Sequence, residues 1–195
     1  EYDSFLAKAS TQQACLDMYM ASKHVCDDLK LKQGQLFLSG WSQGGWCTLV
    51  FLNKLESLGI PVTAAGVMSA PTDVFMLINR WIHNPQPVDA PYLNGEIAIL
   101  VYAYEEYYKV PGLAASVLRP EYLQVSKDFY QNKITYEELY SKVPSKLSDY
   151  FKAEYIQSNS VSEDNFSRLL QQNQSYRWRS ITPLQTYYGE IDEAV

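Results

Sequence analysis

The sequence predicts an α/β protein, a parallel sheet interrupted by a large helical insertion. Three observations predict it. Apolar runs, without the alternation of half-exposed strands, occur at Leu36–Ser39 and Val62–Met68, strands covered on both faces read this way, and Pro183–Tyr188 reads as a third strand. A helix-length amphipathic segment separates the first two runs. From about Thr72 to Ser180 no run is as clear a strand, and eleven of the sixteen tyrosines lie between Tyr92 and Tyr155.

Taken in order, Ser10-Thr11-Gln12-Gln13 has the form of a capping box with Ser10 as N-cap. Cys15, Met18, Tyr19, Ser22, Val25, Cys26 and Leu29 then recur at helical spacing, predicting a helix over 11–30. Cys15 and Cys26 share its face roughly 16 Å apart, too far to bond, so the three cysteines are expected as free thiols. Gly34 precedes the first strand. Residues 44–58 form the next helix, with Trp46, Leu49, Val50, Leu52 and Leu55 inward and Gly59 closing it. Pro61 leads into the second strand. Within the insertion, Glu121–Asn132, Tyr136–Val143 and Asp164–Asn173 are short helices between proline and polar turns. Its tyrosines suit either a lid over an apolar substrate or a small core of their own. Asn165-Phe-Ser and Asn173-Gln-Ser fit the glycosylation pattern.

The 195 residues suffice for one domain with a sizeable core, or a domain carrying an insertion. A net charge of −6 argues against nucleic acid as the main partner, since a phosphate-binding surface needs clustered Lys and Arg. No apolar run approaches the ~20 residues of a membrane span. No His or Cys cluster has ligand spacing, so neither a metal nor an organic cofactor is implied.

Between the first strand and the second helix stands Gly40-Trp41-Ser42-Gln43-Gly44, a G-x-S-x-G nucleophile elbow in the strand–turn–helix setting the motif requires. So tight a turn strains the serine backbone, and side chains two positions either side would strike neighbouring backbone. Ser42 is lifted clear of the sheet at a helix N-terminus, where N–H groups and the helix dipole favour negative charge. Ser42 is thus the candidate nucleophile and the N–H of Gln43 an oxyanion donor. Trp41 either lines an acyl pocket or packs as a core aromatic.

These residues resemble the α/β-hydrolase fold family. ITPLQTYYGEIDEAV is similar to that family's seventh strand and the loop bearing its triad acid, which places the acid at Asp192. STQQACLDMY and MSAPTD resemble the secretory lipase and esterase branch, whose members carry a helical cap between the sixth and seventh strands. The resemblance implies a core at 1–71 and 181–195, a cap at 72–180, a carboxylic-ester substrate, an acyl-enzyme on Ser42 and a secreted or periplasmic location. Asp73 and Glu190 are rival acids. A serine needs a base, and the base in this fold follows the acid in the chain. His24 lies on the first helix and His83 in the insertion, so the histidine is expected beyond Val195 and the chain is expected to be a fragment; a base role for His83 breaks the fold's order. The rival readings are a prolyl-oligopeptidase-like serine peptidase and a non-catalytic binding protein of the same fold.

Overall fold

The computed structural model describes residues 3–157 and 164–192. The chain divides into a sheet unit, Lys8–Asp73 with the residues from Gln174 on, and a helical unit, Val74–Asn173 with the residues up to Ala7.

The sheet unit holds α1 (Lys8–Asp28), β1 (Phe37–Trp41), α2 (Gln43–Ser57), β2 (Ala64–Met68) and β3 (Leu184–Tyr187). The strands pair in parallel, in the order β1-β2-β3. The central strand buries Ala65 and Val67. On α2, Trp46, Leu49, Val50, Leu52 and Leu55 are buried as their spacing predicts, each large aliphatic stabilising by about 1.5–3 kcal/mol. Leu49, Val67 and Ala70 form one cluster, closed by Trp178. Gly59 ends α2 as expected: its φ is 67°, its N–H reaches the Glu56 carbonyl at 3.0 Å, and the Ile60 N–H reaches Leu55 at 2.9 Å. These two bonds make a Schellman motif, with glycine where the chain turns left-handed.

Two expectations change here. Helix α1 starts at Lys8, so Ser10 lies inside its first turn, and the Gln13 amide donates to Asp17 at 2.7 Å instead of closing a capping box. The flanking strands are also not buried. Phe37 is 60% exposed and no residue of β3 is buried, because both strands are edges of a three-stranded sheet. The face of α1 touching α2 is polar and aromatic: Gln12 bonds the Val50 carbonyl and Asn53, and the Tyr19 ring meets Phe51 edge-on.

The helical unit contains α3 (Val74–His83), α4 (Leu93–Tyr107), α5 (Leu113–Val117), α6 (Leu123–Tyr130), α7 (Tyr136–Tyr140), α8 (Leu147–Tyr150), α9 (Ala153–Gln157) and α10 (Asn165–Gln172). The three helices expected in the insertion are present as α6, α7 and α10, with a 3-10 turn at Pro120–Tyr122 leading into α6. Helix α4 is its axis and is buried on nearly all sides, from Leu93 to Tyr104. Ala98 on α4, Phe129 on α6 and Leu139 on α7 share a core. Thr135 and Glu138 form a reciprocal capping box for α7, and Asp164 caps α10 through the Ser167 N–H.

Tyrosines build this unit's own core. Tyr104 is 1% exposed and donates to the Leu6 carbonyl, Tyr102 donates to Leu123, and Tyr108 to Asn173. Their hydroxyls are met by protein acceptors, as buried phenols require. Asn173 is buried and its amide donates to Leu169, so its glycosylation tripeptide is not a usable acceptor, whereas Asn165 is exposed. No helix among the described residues is long and apolar enough to cross a membrane.

Candidate active site

The parallel register aligns the carboxyl ends of the strands, with Trp41 opposite Met68 and Met68 opposite Tyr187. Ser42 therefore follows the end of β1 and the Gly189–Asp192 turn follows the end of β3, both at the carboxyl end of the sheet; the two strand ends themselves lie about two strand spacings, ~10 Å, apart. Carboxyl ends of parallel strands are where open α/β sheets bind ligands.

Ser42 has φ 53° and ψ −124°, a backbone state that L-residues rarely adopt and that costs of order 1–3 kcal/mol. Hydrogen bonds hold it there. Its N–H donates to the Met68 carbonyl of β2 at 2.9 Å, and its own carbonyl accepts from Trp46 at 3.1 Å. Its side chain makes no capping bond to α2 and the residue is exposed. Gln43 is the first residue of α2, whose opening N–H groups have no carbonyl one turn back within the helix.

The glycines divide their work differently from the motif's simplest reading. A Cβ on Gly40 would stand 2.1 Å from the Gly44 carbonyl oxygen and 2.6 Å from Thr48 Oγ1. At Gly44 a Cβ would meet nothing within 4 Å, which corrects the expectation that both motif glycines avoid backbone. The second close approach belongs to Gly45, where a Cβ would lie 2.8 Å from Ala70 Cβ. Gly40 lets α2 fold back against β1, and Gly45 lets it lie against the end of β2.

Trp41 is 70% exposed, so the described residues do not pack it as a core aromatic. Asp192 is half-buried, and its N–H donates to the Gly189 carbonyl at 3.3 Å in the turn after β3. Of the rival acids, Glu190 is exposed, and Asp73 accepts the Tyr176 hydroxyl at 2.8 Å. His24 is exposed on α1, and His83 ends α3 of the helical unit. Cys47 lies on the same helix, where burial, then the neighbouring Cys15 thiol, push its pKa up and disfavour the thiolate.

One residue at this edge was missed by sequence reasoning. Ser69 follows β2 with φ 47°, and its N–H donates to the Tyr187 carbonyl at 2.8 Å. Its position directly after the second apolar run was the available signal. Beside it, Val67, Ala70, Thr72, Thr186, Tyr187 and Tyr188 line a cleft of about 200 Å³.

No family model and no curated protein matches the chain. Solved structures do. A candidate hydrolase from Legionella pneumophila superposes with a TM-score of 0.82 at 19% identity, over 96% of this chain and 50% of that one. The rice cell wall degrading esterase LipA from Xanthomonas oryzae, in a ligand-bound form, superposes with a TM-score of 0.79 at 21% identity, over 96% of this chain and 51% of that one. The chain thus spans about half the length of the structures it matches. At these identities the likeness is one of fold, and this chain has the fold of the corresponding half of a hydrolase and of an esterase.

Proposed function

We propose that this chain carries the nucleophile of a serine hydrolase that cleaves carboxylic esters. The carrying observation is the strained Ser42 backbone at the β1–α2 junction, held by Met68 and Trp46, with the residue open to solvent. Strain of this kind persists only where its surroundings over-determine it, and here it presents an oxygen at a helix N-terminus. The likeness to LipA, an esterase by description, supports esters over peptides.

In this reading Ser42 Oγ attacks the acyl carbonyl carbon and its proton passes to a histidine imidazole. The carbonyl electron pair moves onto oxygen, which the Gln43 N–H stabilises. Collapse expels the alkoxide, protonated by the imidazolium, and leaves an acyl-enzyme on Ser42. Water then attacks by the same steps in reverse and frees the acid. Asp192 orients the imidazole, which is expected from a residue following it in the chain. The separation of β1 and β3 leaves room for such a ring between Ser42 and Asp192. The helical unit as a cap, and a secreted or periplasmic location, belong to the same proposal.

The test is fluorophosphonate labelling of the natural protein, with the modified residue mapped by mass spectrometry and Ser42→Ala as control. Label on Ser42, abolished in the control, is the expected result, followed by turnover on an acyl ester panel. A folded natural protein that takes no label refutes the hydrolase and favours a binding protein that has kept the elbow.

A further inference from the structure

Strand register is normally set by burial, because a slip moves apolar residues off the core face. Strand β3 lacks that constraint, since Leu184, Gln185, Thr186 and Tyr187 are all exposed. Its pairing with β2 is nonetheless specific, running from Ala65↔Leu184 to Met68↔Tyr187.

A hydrogen-bonded anchor lies just upstream. The Glu56 carboxylate, at the C-terminal end of α2, gathers the chain that enters β3. Its Oε2 accepts from Trp178 Nε1 at 2.9 Å. Its Oε1 accepts from Ser180 Oγ at 3.0 Å, the Ile181 N–H at 3.1 Å and the Thr182 N–H at 2.9 Å. A carboxylate in the last turn of a helix faces the negative end of the dipole, so this position is unfavourable without such donors. The backbone of Glu56 is itself held, because its carbonyl accepts the Gly59 N–H of the Schellman motif. Trp178 also packs against the cluster of Leu49, Val67 and Ala70. Glu56 thus ties 178–182 to the same helix whose N-terminus carries Ser42.

We infer that Glu56 is a positioning residue: its carboxylate is the latch that sets the register of β3 on β2 and so the place of Asp192 beside Ser42. The step from register to catalysis rests on the proposed role of Asp192. A two-residue slip keeps the side chains on the same faces and displaces Asp192 by about 6.6 Å, beyond hydrogen-bond reach of any base aligned with Ser42.

Paired cysteines test it in the natural protein after Cys15, Cys26 and Cys47 are changed to Ser. Met68→Cys with Tyr187→Cys reports the native register. Met68→Cys with Gln185→Cys, or with Gly189→Cys, reports slipped ones, whose Cα atoms are too far apart to bond in the native register. Oxidation by a small-molecule disulfide forms each cross-link by thiol exchange and releases the reduced thiol. With Glu56 intact, the native pair alone cross-links. Glu56→Ala lowers the native-to-slipped ratio at least roughly tenfold, the loss expected for one charge-assisted hydrogen bond. Glu56→Gln, which keeps an acceptor, falls between, and it serves also if the alanine variant does not fold. Native-only cross-linking in both variants overturns the latch. Slipped cross-links with unchanged fluorophosphonate labelling of Ser42 leave the register latch standing and refute Asp192 as the acid. Slipped cross-links with slower labelling support both.

Discussion

Gly40→Ala is the sharpest test of how the elbow is built. The added methyl would stand 2.1 Å from the Gly44 carbonyl oxygen, 2.4 Å from its carbon and 2.6 Å from Thr48 Oγ1. Two of the three atoms are backbone in the first turn of α2, so no side-chain rotation relieves the overlap. To restore even a 3.0 Å contact, that turn must retreat by about 0.9 Å, carrying the Gln43 N–H and Ser42 with it. Overpacking of this kind costs about 3 kcal/mol, the upper end of its usual range. In a chain of this length that lowers Tm by roughly 6–12 °C. A displacement near 1 Å at Ser42, the proposed nucleophile, slows its fluorophosphonate labelling by about 100-fold. Gly44→Ala is the matched control: its methyl meets nothing within 4 Å, and alanine is the better helix former by roughly 0.5–1 kcal/mol, so Tm holds or rises. Thermal melts and fluorophosphonate labelling rates of both variants decide the matter. A Gly40→Ala protein that melts and labels like the parent would mean that the first turn of α2 is free to move and that Gly40 does not build the elbow.

Ser42→Gly removes the strain of a positive φ and raises Tm by roughly 2–4 °C while abolishing labelling; an unchanged or lower Tm counts against the strain. Burial raises the Glu56 carboxyl, but hydrogen bonds from Thr182, Trp178 and Ser180 outweigh it and bring the pKa to about 2, from 4.5. A depressed carboxylate pKa stabilises the fold above the unfolded value, and that contribution disappears between pH 4.5 and about 2; urea melts across this window are therefore flatter in Glu56→Gln than in the parent. Tyr104→Phe strips a buried hydroxyl from the Leu6 carbonyl and costs about 1–3 kcal/mol in urea denaturation, against little change for exposed Tyr188→Phe. Leu52→Ala empties a fully buried site on α2 and costs about 2–5 kcal/mol by the same measurement.

The strained strand-to-helix turn at Ser42, the strands and α2 are legible because their signals are local. A serine among glycines between two apolar runs specifies a tight strand-to-helix turn, and the spacing from Trp46 to Leu55 specifies a buried helix face whatever lies against it. Gly59 marks the end of α2 because only glycine takes that left-handed turn without strain. Helix α4 was not singled out: its apolar residues run all round it, which erases the period by which a helix is read.

Everything that depends on what stands opposite was decided by the tertiary structure. The apolar spacing of α1 shows that Met18, Val25 and Leu29 share a face, but spacing says nothing of what covers it, and all three are exposed. Gly45 rather than Gly44 is the tight second glycine because the end of β2 brings Ala70 against it, from twenty-five positions away in the chain. Glu56 reads in the sequence as a solvated helical carboxylate; its four donors come from a segment more than a hundred residues later. Ser42 and the turn that carries Asp192 follow the same ends of β1 and β3 because the strands pair in parallel. The three strands, α2, the insertion's three amphipathic helices and the strained serine are written in the chain itself, since φ preferences and helical periods are properties of neighbouring residues. Their partners come from packing, because contact between distant segments depends on the packed shape of both.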